Sequence, residues 1–189
     1  LNATLGFKAS PVNGLWFNVF GGYRISKDEL FCNLVDADGY YFTHFLQDKA
    51  KTAYGGAELK YGYKDWFDAS LKGTFYSWKT DNENEELYLM TKPKFELNFY
   101  AEAKVFEGLK VYLGYEYVQR KEYVIEEGNS SRDFGLGNIS NLSVGASYTF
   151  LKDLSVFGRV NNLLNKQYYY EYGYPAEKLN VLAGLSLVF

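Results

Sequence analysis

The sequence PKFELNFYAEAKVFEGLKVYLGYEYVQRKEYVI, residues 93–125, decides the fold. From Lys94 to Val105, apolar side chains occupy every odd position, and polar or tyrosine side chains occupy every even one. This period of two is typical of a β-strand, since a helix repeats every 3.6 residues. After Phe106-Glu107-Gly108 the alternation resumes at Leu109, so the stretch is predicted to form one antiparallel hairpin with a tight turn.

Both arms of this hairpin are long. Strands of soluble proteins cluster around five or six residues, whereas a tilted strand that crosses a bilayer needs about nine to eleven. One face of each arm is apolar and aromatic, and the other carries charges of both signs. This arrangement is typical of an outer-membrane barrel wall, with lipid outside and a polar lumen inside.

The composition supports this interpretation and excludes several others. The 189 residues suffice for one domain, and the 20% aromatic content suits β-structure with interfacial aromatic girdles. A net charge of -3 gives no basic footprint, so no nucleic-acid partner is expected. One cysteine, Cys32, and one histidine, His44, form neither a disulfide nor a usual zinc site, so no metal and no cofactor are predicted.

The same alternation recurs along the whole chain and predicts nine strands, with Lys27 to Thr52 as a long connection. The predicted strands are residues 2–9, 15–24, 57–63, 67–76, 94–105, 109–118, 141–150, 154–160 and 179–189. Short turns and long connections alternate between them. Bacterial outer-membrane barrels have short periplasmic turns and long extracellular loops, so the pattern also assigns the two sides.

The odd number of strands has a consequence for closure. Single bacterial chains form barrels with an even number of strands, and an open edge in lipid leaves backbone groups unpaired. Residues 1–189 are therefore expected to be the C-terminal part of a larger all-β, antiparallel up-and-down barrel. Alternatively, Tyr40 to Leu46 forms a tenth strand and closes a small barrel with an adhesion or membrane-integrity role, which would reverse the asymmetry of the loops.

The end of the chain carries a specific motif. It comprises the run VNNLLNKQY at residues 160–168, a Gly-Tyr-Pro turn and a last strand that ends on an aromatic residue. The motif residues are Asn161, Asn162, Leu163, Asn165, Tyr168, Gly173, Tyr174, Pro175, Leu187 and Phe189. This pattern resembles the C-terminal end of TonB-dependent outer-membrane receptors. In that family the final aromatic, with alternate apolar residues before it, is the signal read by the barrel-assembly machinery.

The resemblance implies a function and a set of partners. Members of the family take up scarce nutrients by energised transport in the bacterial outer membrane, using extracellular loops, a plug domain and a TonB-type energising complex. The plug and its energising box are absent from these residues, so the expected partners are outer-membrane lipid, the rest of the barrel and the plug. Since such barrels have about 22 strands, this chain would supply roughly the last two-fifths. The ligand stays open among siderophore, haem, cobalamin, sugar and peptide.

Several side chains are candidates for contact with a ligand or with the lumen. Asn161 and Asn162 are expected to satisfy backbone groups where the ladder stops, and Gly173 and Pro175 suit a turn. Aromatic residues of the connections are suited to stacking on a ligand at the outer mouth, namely Tyr40, Tyr41, Tyr168, Tyr169, Tyr170 and Tyr172. Cross-strand ion pairs are expected among the lumen-facing charges Arg24, Glu58, Lys60, Asp68, Lys72, Lys94, Glu96, Glu102, Lys104, Lys110, Glu116, Arg120 and Arg159.

Other function classes find little support. A barrel-embedded hydrolase would need a nucleophile beside His44, and no motif supplies one, so no enzyme and no catalytic residue is predicted. The acidic segment of Asp81, Glu83, Glu85 and Glu86 lacks the spacing of a known calcium loop. A soluble β-sandwich remains a rival, which would bury the apolar face that a barrel turns towards lipid.

Overall fold

The computed structural model describes the backbone of residues 1–36, 41–80, 88–120, 124–127, 130–133, 136–171 and 174–188. Strands dominate these residues. They are β1 (Asn2–Val12), β2 (Leu15–Asp36), β3 (Tyr41–Tyr63), β4 (Phe67–Thr80), β5 (Pro93–Phe106), β6 (Leu109–Arg120), β7 (Val124–Glu127), β8 (Ser130–Asp133), β9 (Ile139–Leu151), β10 (Leu154–Asn161), β11 (Tyr169–Glu171), β12 (Tyr174–Pro175) and β13 (Asn180–Leu187). Residues 88–89 form a short helical turn.

Nine of the strands form one antiparallel sheet in the order β1-β2-β3-β4-β5-β6-β9-β10-β13. Each strand pairs with the next one along the chain, apart from the two small hairpins β7–β8 and β11–β12, which lie within long connections. The prediction of an up-and-down sheet of nine long strands is confirmed. Within the described residues, β1 and β13 stand at the two ends of the strand order.

Four tight turns join strands at one end of the sheet. They lie at residues 13–14, 64–66, 107–108 and 152–153. Gly14 and Gly108 have φ values of 81° and 84°, and a Cβ added at Gly108 would lie 2.5 Å from the Thr149 carbonyl oxygen. Glycine is required there because L side chains rarely adopt this conformation. The long connections meet at the opposite end, as the sequence predicts.

The prediction of an irregular connection from Lys27 to Thr52 is wrong. Strands β2 and β3 continue through this segment, and their pairing runs from Ile25 opposite Lys51 to Asp36 opposite Tyr41. Residues 41–46 therefore belong to β3 and do not form a separate tenth strand. The sequence signal failed because β2 and β3 extend here beyond their pairing with β1 and β4, so this ribbon is not part of the wall on which lipid and lumen enforce the alternation.

The predicted connection from Glu126 to Asn138 also contains strand structure. Within it β7 and β8 pair as a hairpin, with Val124 opposite Asp133 and Glu127 opposite Ser130. Two four-residue strands are too short to show a period-two pattern clearly, which is why the sequence suggested only a loop.

The two faces of the sheet differ in the way that the alternation predicts. One outward row runs across eight strands through Leu15, Tyr61, Ala69, Ala101, Leu113, Val144, Val160 and Val181. Large apolar side chains of this face are open to the surroundings, with Leu5 84% exposed and Val181 68% exposed. A soluble β-sandwich would bury them, so that alternative is wrong for the described residues.

Aromatic side chains mark both ends of the outward face. Tyr61 and Tyr63 of β3 and Tyr148 of β9 lie exposed towards the tight turns, and Tyr23 and Phe75 lie exposed towards the long connections. Tyrosine and phenylalanine rings at these two levels are the girdles of a transmembrane barrel. The chain therefore forms an antiparallel segment of a transmembrane β-barrel wall.

Candidate functional site at the outer mouth

The inner face of the sheet is lined by polar side chains arranged in rows. One row crosses seven strands through Lys8, Asn18, Glu58, Lys72, Asn98, Glu116 and Asn141. Lys110 Nζ lies 2.7 Å from Glu102 Oε1 on the neighbouring strand, which confirms the predicted cross-strand pairing for this pair. Lys60 instead pairs at 3.0 Å with Glu58 of its own strand. Both lysines are exposed, so these pairs contribute little stability.

Aromatic rings on the inner face lie flat against glycines of the neighbouring strand. A Cβ added at Gly22 would lie 2.5 Å from the Tyr54 ring, and one added at Gly184 would lie 2.6 Å from the Phe157 ring. Such rings shield the backbone of the glycine beside them and fix the register of the two strands. The Tyr54 and Phe157 rings therefore pack against the backbone of the neighbouring strand.

A groove of about 290 Å³ opens on the inner face towards the long connections. Its lining combines cationic, hydroxyl and aromatic side chains, namely Asn2, Phe20, Arg24, Thr52, Tyr54, Lys72, Thr74, Tyr76 and Trp78. Thr52 Oγ1 is buried there and has no hydrogen-bond partner. Tyr76 donates a 2.8 Å hydrogen bond to Glu96, and its ring stacks on Trp78 at a centroid distance of 6.0 Å. We call this groove the aromatic groove.

A polar cluster braces the base of the projecting β2–β3 ribbon, outside the membrane-spanning part of the sheet. Glu29 of β2 accepts a 2.8 Å hydrogen bond from the Tyr88 hydroxyl and forms a 2.7 Å ion pair with Lys92. Lys92 Nζ also lies over the Tyr88 ring, 4.4 Å from its centroid. Trp78 donates a 2.7 Å hydrogen bond to the Pro93 carbonyl oxygen, which joins β4 to the start of β5.

The charges of this cluster shift its pKa values. Burial opposes ionisation of Glu29, but the hydrogen bonds from Lys92 and Tyr88 outweigh it, and the pKa of Glu29 is lowered. Burial, together with the hydrogen bond to the Glu29 carboxylate, raises the pKa of Tyr88. Glu29 is therefore ionised at neutral pH.

The connection from Asn162 to Leu179 folds inwards over the inner face. Tyr168 is 5% exposed and packs on Val118 of β6 and on Ile139 of β9, with Ala176 beside them. Val118 and Ile139 are opposite each other on the face that is otherwise polar. The Tyr168 ring covers both side chains, which explains why apolar residues occur at these two positions. We call residues 162–179 the inner strap.

Two further contacts fix the inner strap to β6. The Tyr170 hydroxyl donates a 3.0 Å hydrogen bond to Glu116 Oε2, and Arg120 Nη1 donates a 2.6 Å hydrogen bond to the Tyr169 carbonyl oxygen. Burial, reinforced by the charge of Glu116, raises the pKa of Tyr170. The Tyr170 side chain is nevertheless 51% exposed, so part of its ring faces the outer mouth.

Asn162 organises the start of the inner strap. Its side-chain amide donates hydrogen bonds of 2.7 Å to the Lys166 carbonyl and 3.1 Å to the Glu177 carbonyl, and its Oδ1 accepts one from the Lys166 amide. Its own backbone amide donates to Asn141 Oδ1. Asn162 thus satisfies backbone groups where the β10 ladder stops. Asn161 does not, because its side chain bonds to that of Asn180 on β13.

The structure places the other motif residues around this turn. Asn165 Oδ1 accepts a hydrogen bond from the Leu179 amide, and Leu163 donates its amide to the Leu142 carbonyl. Tyr174 and Pro175 form β12, and Leu187 ends β13. Tyr40, Tyr172, Gly173 and Phe189 lie outside the described residues, and Tyr41 is described only by its backbone in β3.

Three residues that shape this region were not predicted from the sequence. Asn141 caps Asn162, and Val118 and Ile139 provide the seat of Tyr168. The sequence contains one signal for this seat: Val118 is apolar although it lies two residues after Glu116, on the polar side of β6. Among the proposed ligand-contacting aromatics, the Tyr168 and Tyr170 rings pack edge to face with centroids 5.5 Å apart, while the side chains of Tyr40, Tyr41 and Tyr172 lie outside the described residues.

No metal centre is found in the described part of the chain. There, no three histidine, cysteine, aspartate or glutamate side chains converge as metal binding would require. The side chain of His44 and the acidic residues Asp81, Glu83, Glu85 and Glu86 lie outside the described residues. No helix among the described residues is long and apolar enough to span a membrane.

The lipid-facing outer side, the polar inner side and the antiparallel up-and-down pairing define the wall of a transmembrane β-barrel. Solved structures show the same fold over the whole chain. The pyoverdine outer membrane receptor FpvA of Pseudomonas aeruginosa matches with a TM-score of 0.71 and 15% identity, over 100% of this chain and 29% of that chain. A mutant of the ferric enterobactin receptor PfeA of the same species matches with a TM-score of 0.69 and 18% identity, over 100% of this chain and 31% of that chain.

The siderophore receptor PirA of Acinetobacter baumannii matches with a TM-score of 0.69 and 15% identity, over 100% of this chain and 31% of that chain. The fold is thus that of the barrel wall of TonB-dependent receptors, and the resemblance seen at the end of the sequence is confirmed at the level of the fold. The chain spans about three-tenths of the length of these receptors. No family model and no curated protein matches the sequence.

Proposed function

We propose that this chain is the wall and outer loop region of an outer-membrane receptor for energised uptake of a scarce nutrient, with a ferric siderophore as the favoured ligand. The aromatic groove carries this proposal. Arg24 and Lys72 supply positive charge, and Tyr54, Tyr76 and Trp78 supply stacking surfaces, which together suit an anionic chelate with planar aromatic groups. The fold shared with siderophore receptors supports the same ligand class over haem, cobalamin or an oligomer.

The aromatic groove can be tested directly. In the complete receptor, Arg24→Gln and Trp78→Leu are expected to weaken binding of a ferric catecholate or ferric pyoverdine probe by about tenfold each, because each removes one charge or stacking contact. Lys104→Gln, at the turn end of the same inner face, is the matched control and should leave binding unchanged. Fluorescence titration measures the affinities. Equal loss in the control, or no loss in either groove variant, would contradict the proposal.

The loop aromatics extend the binding surface of this proposal. The exposed ring of Tyr170 is the described candidate for ligand contact, with Tyr169 beside it and Tyr168 holding both in place through the inner strap. Tyr40, Tyr41 and Tyr172 complete the proposed set. Each is expected to stack on a ligand that enters from outside, since every one belongs to a long connection or to the projecting ribbon.

Three further proposals concern the location, the extent and the partners of the whole protein. The chain is proposed to lie in the bacterial outer membrane, to be the C-terminal part of a larger barrel and to surround a plug that engages the TonB-type complex. Because β1 and β13 run in the same direction at the two ends of the sheet, the partner strands must be odd in number for antiparallel pairing throughout. A self-contained small barrel is not favoured, because residues 41–46 are part of β3.

The end of the chain is proposed to carry the assembly signal. Leu185 and Leu187 alternate on the outward side of β13, and Phe189 would continue that row. In this proposal the barrel-assembly machinery reads the row of Leu187 and Phe189, while Asn161, Asn162 and Asn165 hold the preceding turn in shape. The wall role requires no catalytic residue.

A further inference from the structure

Strands β4 and β5 separate at the outer end of the wall. Their pairing runs up to Phe75 opposite Phe95, whereas β4 continues to Thr80 and β5 begins only at Pro93. Pro93 has no backbone N–H to donate, so it cannot prolong the ladder. The Trp78 indole instead bridges the two strands through its 2.7 Å hydrogen bond to the Pro93 carbonyl oxygen. The residue steps from Phe75 to Trp78 leave a gap about 10 Å tall between the last strand pair and this bridge.

A cavity of about 520 Å³ occupies this gap. It is lined by residues 75–78 of β4 and residues 94–95 of β5, together with Leu89, Lys92 and Gln119. Consecutive residues of a strand point to opposite faces, so a cavity that four consecutive residues line reaches both the outward and the inner face of the sheet. Its volume is within the range of small-molecule sites, about 300–1,000 Å³. We call this cavity the wall notch.

The lining of the wall notch changes from apolar to polar across the wall. On the outward side, the Phe75 and Phe95 rings have centroids 4.4 Å apart, and Phe75 is largely exposed. On the inner side are the Tyr76 and Trp78 rings and, by strand alternation, the cationic Lys94. A molecule with an apolar chain at one end and an anionic group at the other would match both sides.

The wall notch adjoins the aromatic groove. Tyr76 and Trp78 line both cavities, and their rings stack at a centroid distance of 6.0 Å. In the groove, Arg24 and Lys72 supply positive charge, and the Thr52 hydroxyl is buried without a hydrogen-bond partner. One ligand can therefore place an anionic head in the aromatic groove and an apolar tail in the wall notch.

From these observations we infer that the ligand of this receptor is amphiphilic: an anionic ferric chelate with one acyl chain. The chelate lies in the aromatic groove, and the acyl chain passes through the wall notch to the lipid side at Phe75 and Phe95. This inference rests on the proposed function, because it assigns a second part of the same ligand. It narrows the ligand class to acylated chelates and gives the gap between β4 and β5 a role in binding.

The test compares two ferric catecholate probes, one plain and one carrying a decanoyl chain, on the complete receptor in phosphatidylcholine vesicles. The acyl chain is expected to raise the affinity at least about tenfold, since burial of about two methylene groups suffices for such a gain. Ser77→Trp fills the wall notch from its outward side and should reduce this ratio of affinities to near one. Binding of probe loaded with radioactive iron, corrected with protein-free vesicles, measures both affinities.

Ala3→Trp is the matched control. Ala3 lies in the same outward row as Ser77, through Tyr23 and Ala53, so the added ring is at the same height but on β1. The ratio of affinities in this variant should equal that of the unmodified receptor. If Ser77→Trp fails to insert into the membrane, Ser77→Leu with Ala3→Leu as its control makes the same comparison with smaller side chains.

Equal affinity of the two probes for the unmodified receptor would overturn the inference, and it is the result expected if a membrane lipid fills the wall notch instead of the ligand. An unchanged ratio in Ser77→Trp, or an equal fall in Ala3→Trp, would also overturn it. Binding of neither probe would refute the proposed function. Binding of the plain probe that Arg24→Gln weakens, without any gain from the acyl chain, would support the proposed function and refute only the role of the wall notch.

Discussion

At the residue scale, single polar side chains determine how the long connections attach to the wall. Asn162 is 1% exposed, has a φ of 50° and forms three hydrogen bonds through its side chain. Asparagine suits this position because its short amide reaches nearby backbone groups and tolerates the left-handed conformation. Glu29 has the corresponding role at the base of the β2–β3 ribbon, where it joins two elements through Tyr88 and Lys92.

Replacement of Asn162 by alanine is expected to destabilise the inner strap by about 2–3 kcal/mol, because two carbonyls and one amide lose their buried partner and alanine is strained at positive φ. Hydrogen exchange of residues 163–171 measures the effect. Asn162→Gly relieves the backbone strain but still lacks the side-chain hydrogen bonds. It should therefore destabilise the inner strap nearly as much as Asn162→Ala. Full protection of these backbone amides from exchange in the glycine variant would show that the stability of the inner strap depends on the backbone conformation at residue 162 and not on the side-chain amide.

The Glu29 cluster predicts a dependence on acid. Because the pKa of Glu29 is lowered by folding from an ordinary value of about 4.5, its stabilising effect is present above that value and is lost as the pH falls through the folded pKa. The Glu29 side chain is 26% exposed and its ion pair is still reached by water, so the loss is expected to be about 0.5 kcal/mol. Fluorescence of nearby Trp78 during acid titration measures it. Glu29→Gln should abolish this titration step, and persistence of the step would assign it to another group.

At the scale of elements, the inner strap behaves as a part of the wall and not as a free loop. It is held by an apolar seat under Tyr168 and by two polar contacts of Tyr169 and Tyr170 with β6. The seat buries a large aromatic side chain, so it supplies most of the attachment, and the polar contacts fix its direction. The lumen is consequently narrowed beside β6 and β9.

Removal of the Tyr170 hydroxyl tests the polar part of this attachment. Tyr170→Phe is expected to weaken docking by about 1 kcal/mol, which corresponds to about fivefold faster exchange of strap amides, because Glu116 loses its donor while the ring stays. Tyr174→Phe, a matched change at an exposed tyrosine of the same connection, should have no effect. Equal acceleration in both variants would contradict a specific role of the contact with Glu116.

At the scale of the whole molecule, the architecture depends on what each face of the sheet contacts, which is hydrocarbon on the outward side and water or polar groups on the inner side. The sheet has almost no interior of its own, and its small buried clusters lie around Ala50 with Tyr88 and around Val118 with Ile139 and Tyr168. Most of the apolar surface is therefore stabilised only by contact with hydrocarbon. The polar row on the other face requires water or a polar domain inside the barrel.

A charge introduced on either face distinguishes these surroundings. Leu113→Lys places an ammonium group in the middle of the outward apolar row and should destabilise the inserted protein by about 2–4 kcal/mol. Asn98→Lys, in the inner polar row, adds the same charge and should cost little. Folding of the complete protein into phosphatidylcholine vesicles over a urea series measures both. Equal tolerance at the two positions would refute the assignment of the faces.

Sequence alternation predicted the strands that lie within the membrane but not the ribbon beyond it. From Lys94 to Val118 every side chain meets either lipid or lumen, so the period of two is enforced and easy to recognise. Over most of the segment from Lys27 to Thr52, β2 and β3 extend beyond the wall, so lipid and lumen do not enforce the alternation there. The motif at Asn161 and Asn162 was recognised, but the fact that only Asn162 caps the backbone required coordinates.

The sequence by itself determined the class of structure, the nine membrane-crossing strands, the apolar and polar faces and the resemblance at the C-terminal end, because these depend on local alternation and short motifs. Only the tertiary structure decided that the β2–β3 ribbon is paired, that the inner strap folds onto Val118 and Ile139, and that Tyr76 and Trp78 line one cavity with Lys94 and Gln119. Each of these features joins residues that are far apart in the chain. Strand register decides which of those residues meet, and register is set by pairing across the whole sheet.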